Sequence, residues 1–405
     1  MLILGIACAV SALAWAYLLL FNGGYWLTGQ RLPPAGPVAH WPAVQAVVPA
    51  RNEADMLPAT LPALLGQDYP GELRVTLVDD GSSDGTGAIA AEIGRTRPGT
   101  ALAVIPGRPR PDGWAGKVWA MQQGLEASGP GEGYLLFTDA DIEWAPGALR
   151  ALVAAAESDD RALVSQMALL STRTRWERVI VPAFVYFFFQ LYPPRRVNDP
   201  GSRVAAGAGG VMLIRRAALE KAGGLVRMKG ALIDDVALGT LLKRDGNRCW
   251  LGLTRDIASI RPYPGLASLW HMIARSAYVQ LRYSPLLLAG TVAGLAFLFA
   301  LPLAGLLAAV ASAGTGAGGA AGGGAGGGAG TALAGAAGLA ALVLMAASFV
   351  PMLRYYHLSP LRAPLLPFIA LLYAGMTVDS ARRHYSGRAV SWRGRPAART
   401  PRIQG

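Results

Sequence analysis

Residues Leu2–Phe21 form a run of twenty without a single charged side chain, rich in leucine, alanine and aromatics. As a helix the run is about 30 Å long, which matches the hydrocarbon core of a bilayer. Two further runs of this kind occupy residues 286–311 and 331–353, and a shorter one at 363–378 carries Pro364 and Pro367. Such stretches have to be buried, and lipid is the natural place. The composition agrees: 53% of residues are hydrophobic and only 15% charged, which argues against a wholly soluble, disordered or collagen-like chain. The first run lacks a basic start and a small-x-small exit before Asn22, so residues 1–22 read as a retained transmembrane anchor rather than a cleaved signal peptide.

The net charge of +12, from 37 Lys+Arg against 25 Asp+Glu, suits either nucleic acid or anionic lipid. Beside the apolar runs, lipid headgroups and phosphorylated substrates come first, and no nucleic-acid partner is expected. Cys8 and Cys249 are too few for a disulfide framework or a cysteine zinc site, and the four histidines have no ligand spacing.

Residues 286–378 read as a second membrane region. Within it, residues 312–331 hold eleven glycines and no charge, which predicts a flexible loop. Seven arginines between Arg382 and Arg402 make residues 379–405 a basic tail, which the positive-inside rule keeps in the cytoplasm. If 286–311 and 331–353 cross and return, a third crossing would export that tail. Residues 363–378 are therefore expected to be re-entrant or interfacial, in a multi-pass inner-membrane protein with its soluble part in the cytoplasm.

That soluble part is residues 40–285, which hold nearly all the acids and alternate short β-type apolar runs with helical patterns. The expected fold class is α/β, a Rossmann-like, mostly parallel sheet that binds its ligand at the carboxyl ends of its strands. Strands are expected at residues 44–48, 73–78, 101–105 and 134–138. The first delivers Ala50-Arg51-Asn52-Glu53 and the second Asp79-Asp80-Gly81-Ser82-Ser83-Asp84-Gly85-Thr86. Carboxylates such as Asp79 and Asp80 can accept hydrogen bonds from a ribose or a uracil N3–H, although Asp-Gly is also ordinary turn chemistry. The fourth strand ends in Asp139-Ala140-Asp141. Two carboxylates straddling one residue offer hard oxygen ligands to Mg²⁺ or Mn²⁺, with positions left for substrate phosphates.

In this combination and order, the V-P-A-R-N-E opening, V-D-D-G-S-S-D-G-T and D-A-D resemble family 2 inverting glycosyltransferases of the GT-A fold. Gly113-Trp114-Ala115-Gly116-Lys117 is similar to a G-x-x-G-K segment of ceramide glucosyltransferase-like membrane enzymes, and Ile233-Asp234-Asp235-Val236-Ala237-Leu238-Gly239 looks like the E-D-x-x-L-G segment that carries the family's base. The layout of the whole chain looks most like bacterial hopene-associated glycosyltransferases. The resemblance implies that Ala50, Arg51, Glu53 and Asp80 meet the nucleotide, that Asp139 and Asp141 meet the metal and pyrophosphate, and that Lys117 lies near nucleotide or sugar. It makes Asp235 the base candidate, with Asp234 either an alternative base or a helix-capping acid. The usual Q-x-x-R-W appears only as Gln280-Leu281-Arg282-Tyr283, which argues against a processive polysaccharide synthase. Arg282 offers a cation to the pyrophosphate or snorkels at the membrane interface.

The implied activity is transfer of a sugar, with inversion, from a nucleotide-sugar donor, expected to be a UDP-sugar, to a membrane lipid. A hopanoid comes first among acceptors, polyprenyl phosphate or diacylglycerol next; a non-catalytic nucleotide-sugar-binding scaffold is the rival of another class. Residues 179–192, rich in phenylalanine, read either as an interfacial helix that a lipid acceptor approaches or as core packing. Ala206-Gly207-Ala208-Gly209-Gly210 allows close backbone approach to sugar or acceptor, or forms a turn.

Overall fold

Among the described residues of the α/β part of the chain, eight strands build one sheet: β1 Val44–Ala50, β2 Leu73–Asp79, β3 Ala101–Pro106, β4 Tyr134–Thr138, β5 Ile142–Trp144, β6 Leu163–Leu170, β7 Val211–Arg215 and β8 Cys249–Ser259. The strand order in this computed structural model is β3-β2-β1-β4-β7-β6-β8-β5. The structure describes residues 1–32, 37–97, 99–131, 133–315, 325–387, 391–392 and 395–396.

Every residue of β1 and β4 is buried, which explains runs that show no polar alternation. Alternate side chains still go to opposite faces: Tyr134 and Leu136 enter a core with the helices Leu57–Leu65 and Ala148–Glu157, whereas Leu135 and Phe137 enter another with Gly116–Ala127 and Asp234–Arg244. The sheet is thus covered on both faces.

β1 lies parallel between β2 and β4, so the polar residues after all three strands emerge at one edge. The sheet is mostly parallel, as expected, but mixed: β7 runs antiparallel to both β4 and β6, and β5 to β8. The antiparallel strand β7 has a consequence for function. Its first residue, Val211, pairs with Thr138, the last of β4, so the glycine segment before it arrives where Asp139 begins. Thr138 Oγ1 donates to the Gly210 carbonyl at 2.8 Å and pins that approach.

The chain divides into two compact units. The α/β unit comprises Gly29–Ser171 and Pro194–Pro262, and the helical unit Met1–Thr28, Thr172–Pro193 and Tyr263–Arg388. The contiguous 40–285 block read from sequence is therefore shared between them. Helix Glu177–Leu191 belongs to the helical unit. Its Tyr186 hydroxyl hydrogen-bonds with Tyr25 at 3.0 Å and Ser348 at 2.7 Å, and Phe187 packs edge-on to Tyr373 and Phe299. The packing alternative accounts for this aromatic run.

Among the described residues, four helical segments are long and apolar enough to cross a membrane: Leu2–Phe21, Pro285–Gly314, Gly328–Tyr355 and Pro360–Tyr385. The last, a 3-10 turn followed by helix Leu366–Tyr385, is longer than the 363–378 run suggested, because helix-compatible polar residues extend it past Val378. The glycine-rich stretch also differs from the expected loop. Helix Leu301–Thr315 runs into it and helix Ala325–Tyr355 begins inside it; residues 316–324 lie outside the described residues. Small residues there serve helix contact: a Cβ on Gly330 would lie 2.7 Å from the backbone nitrogen of Leu2.

Candidate active site

Lysine 117 sits in the first turn of helix Gly116–Ala127, after the Gly113–Trp114–Ala115 turn, and reaches across the end of β4. Its Nζ lies 2.8 Å from Asp139 Oδ1 and 3.0 Å from Asp234 Oδ2. Burial pulls the ammonium down, but Asp139, Asp234 and Asp235 more than offset this and hold it well above the ordinary lysine range. The sequence motifs G-W-A-G-K, D-A-D and D-D are thereby brought to one point.

The two acids of helix Asp234–Arg244 have different partners. Asp234 turns to Lys117, whereas Asp235 Oδ2 accepts the Gly209 N–H at 2.9 Å and Oδ1 accepts the N–H of Val236 at 2.8 Å. Burial, with repulsion from Asp234, pushes the Asp235 carboxyl up to about 7, against the opposing pull of Lys117 and the two N–H donors. A carboxylate poised near neutrality suits a general base.

Two glycines make this geometry possible. A Cβ on Gly209 would press Lys117 Nζ at 3.2 Å and Asp235 Oδ2 at 3.4 Å. A Cβ on Gly239, one turn beyond Asp235, would come within 2.7 Å of the Ala206 backbone. Backbone cannot yield as a side chain can. Gly239→Ala should therefore lose about 1–3 kcal/mol to overpacking, set against about 1 kcal/mol regained in helix propensity. A lower urea midpoint checks this; an unchanged or higher midpoint would mean that the helix is not held so close.

Along the neighbouring strand ends, the loops after β1 and β2 are stitched together. Asn52 N–H donates to Ser82 Oγ at 3.0 Å, Glu53 N–H to Thr86 Oγ1 at 2.8 Å and Ala54 N–H to Asp84 Oδ2 at 3.0 Å. Ala50 accepts the Asp80 N–H through its carbonyl at 2.9 Å. Arg51 donates to the carbonyls of Asp80 and Gly81, and its guanidinium lies 3.9 Å from the buried Asp80 carboxylate. Asp79 accepts the Ser82 N–H at 3.0 Å and shapes the turn into helix Thr86–Arg95. These residues form a shelf of fixed donors and acceptors beside the acid cluster.

Arg261, just beyond β8, did not stand out in the sequence. Its Nη2 lies 2.8 Å from both Glu53 carboxylate oxygens, and its Nε donates to Asp141 Oδ2 at 3.0 Å, where Ser259 Oγ also donates at 2.8 Å. The arginine thus ties the β1 loop to the second acid of D-A-D. It stands two residues past the end of its strand, and its partners come from distant parts of the chain. Arg282 lies in the helical unit, at a left-handed turn with φ of 52°.

The acid cluster fits a hard divalent cation by its chemistry. Burial lifts the Asp139 carboxyl above its ordinary range; Lys117 opposes this, while Asp141 and Asp234 add to it. Such a group of acids is short of positive charge, and its donors are all carboxylate oxygens. Among the described residues no three His, Cys, Asp or Glu side chains form a ready metal cage. Sites completed by substrate phosphates have this character.

Residues 45–223 match the family model for Glycosyl transferase family 2. That match takes in most of the α/β unit's first segment, the Thr172–Pro193 part of the helical unit and the α/β unit again as far as Gly223. The architecture of this glycosyltransferase domain is GT-A-like. The mannosyltransferase PcManGT from Pyrobaculum calidifontis, solved in complex with GDP-Man and Mn²⁺, is similar over 92% of this chain and 99% of that one, with a TM-score of 0.53 and 22% identity. At that identity the likeness is one of fold. An N-acetylglucosaminyltransferase of Rhizobium meliloti (strain 1021) is 57% identical over 42 residues, 10% of this chain and 10% of that protein, so the match spans about a tenth of the curated relative.

Proposed function

We propose that this protein is a membrane-associated glycosyltransferase that transfers a sugar from a nucleotide-sugar donor to a membrane-lipid hydroxyl, with inversion at the anomeric carbon. The observation that carries this reading is the convergence of Lys117, Asp139, Asp234 and Asp235 at the carboxyl edge of the sheet in a glycosyl transferase family 2 domain. Asp235 takes the proton of the acceptor hydroxyl as its oxygen bonds to the anomeric carbon. The bond from that carbon to the diphosphate breaks, and the nucleoside diphosphate leaves. Lys117 donates to the departing diphosphate, while Arg51, Glu53, Asp79, Asp80 and the Ala50 backbone hold the nucleoside. Asp139 and Asp141 would hold Mg²⁺ or Mn²⁺, which supplies charge neutralisation of the leaving group.

Four apolar segments favour a lipid acceptor, since they keep the chain at the bilayer where such a molecule resides. The donor is proposed to be a UDP-sugar and the domain to face the cytoplasm of the inner membrane, where nucleotide sugars are made. A hopanoid is the first acceptor to test, ahead of polyprenyl phosphate and diacylglycerol. Lipid extracts of deletion and complemented cells, compared by mass spectrometry, should differ by one glycosylated species that complementation restores. Its mass gives sugar and acceptor together. Identical extracts under conditions of confirmed expression would favour the non-catalytic scaffold.

A further inference from the structure

The helical unit carries a charge imbalance that the transfer reaction does not use. Its Thr172–Pro193 part has three arginines and the described residues of Tyr263–Arg388 have six, nine in all, against two acids, Glu177 and Asp379. Glu177 is fully buried, accepting the N–H groups of Thr174 and Tyr263 at 2.8 and 2.7 Å. Asp379 accepts Trp270 Nε1–H at 2.8 Å and Arg383 Nε–H at 2.7 Å. Both acids are thus spent inside the unit, and what this unit shows to a bilayer surface is basic.

One place combines that charge with an apolar groove. Helix Leu266–Ala274 buries Leu269 and Ile273, and beside it a groove of about 340 Å³ is lined by Leu266, Ala267, Trp270, His271 and Arg383. Arg383 lies in the last turn of the apolar helix Leu366–Tyr385, and a basic residue at the end of an apolar helix is placed for the headgroup layer whether the helix crosses the bilayer or lies at its surface. Asp379, itself held by Trp270 Nε1–H, fixes its guanidinium through Nε, and Nη1 lies 2.6 Å from His271 Nδ1. An arginine N–H can only donate, so Nδ1 accepts and, in the neutral ring, Nε2 carries the proton. Arg383 Nη2 and His271 Nε2 have no protein partner among the described residues, and both side chains line the groove beside Leu266, Ala267 and Trp270.

We propose that this groove seats an anionic phospholipid, with its phosphate on Arg383 and His271 and the start of an acyl chain against Leu266, Ala267 and Trp270. A fixed guanidinium above apolar walls recognises charge and hydrocarbon in one molecule. A neutral headgroup satisfies only half of the site. The seat is separate from sugar transfer and anchors the helical unit at the bilayer surface.

The test uses the full chain in detergent, stripped of native lipid and mixed with equal amounts of phosphatidylglycerol and phosphatidylcholine, with bound lipid counted by native mass spectrometry. Wild type should retain one phosphatidylglycerol in preference to phosphatidylcholine. Arg383→Gln should lower that retention about five- to tenfold, the loss of one basic contact at a headgroup. Arg382→Gln, which removes an equal charge from an exposed neighbour, should leave it unchanged. Ala267→Phe fills the groove from an exposed position without touching Arg383, and should also release the lipid even if Arg383→Gln folds poorly. Full retention in Ala267→Phe, or equal losses in Arg382→Gln and Arg383→Gln, would overturn the proposal. So would displacement of the lipid by millimolar inorganic phosphate, which would make the site one for a free anion.

Discussion

Asp235→Asn should bind donor as the wild type does and turn over about 10²- to 10⁴-fold more slowly, the usual contribution of a positioned general base. Asparagine keeps one oxygen, which can accept the Gly209 N–H while the Val236 N–H loses its acceptor, so the contact with the glycine segment is retained and the proton acceptor is lost. The same carboxylate sets the pH dependence. Its ordinary value is raised to about 7, chiefly by burial, and a base acts only when unprotonated. The wild-type kcat/KM should therefore rise about tenfold per pH unit below that value and level off above it, and the variant should lose this limb. Lys117→Met removes a charge that pulls Asp235 down, so the limb should move to higher pH. An active Asp235→Asn beside an inactive Asp234→Asn would place the base one residue upstream.

Asp141→Asn should abolish metal-dependent donor binding and reduce transfer by about 10³-fold, the scale of losing one element of leaving-group stabilisation. Here the choice of substitution matters. Asp141 is largely buried and accepts from both Ser259 and Arg261, so alanine would remove a structural acceptor as well as a charge. Asparagine retains an oxygen, and Arg261 keeps both carboxylate oxygens of Glu53. Thermal unfolding should then shift little while Mn²⁺-dependent donor affinity, followed by calorimetry, disappears. Donor affinity that still responds to Mn²⁺ would remove Asp141 from the metal site.

Strand ends were the legible part of the site. Tyr134–Thr138 and its D-A-D sequel could be read because four apolar residues, a threonine and the two acids after them lie within one short segment. What links such segments was not legible. Arg261 meets partners 208 and 120 positions away, Glu53 and Asp141, and no local pattern marks it. Asp234 and Asp235 are alike in sequence and separate only when Lys117 and Gly209 approach from other elements. The helices on either side of residues 316–324 were hidden for a different reason. Glycine opposes helix in water, but close contact such as that of Gly330 with the Leu2 backbone rewards a small residue, and in lipid the backbone must bond to itself.

Transfer itself tests the account most directly. The purified chain, reconstituted in lipid extract with Mn²⁺, is given nucleotide sugars labelled in the sugar, and both organic-phase label and free nucleoside diphosphate are counted. The expected result is label entering the lipid phase in equal amount to the diphosphate released, with both products from Asp235→Asn lowered about 10²- to 10⁴-fold. Release of diphosphate with the label left in water would contradict the lipid acceptor, and intact donor throughout would contradict the assignment as a glycosyltransferase.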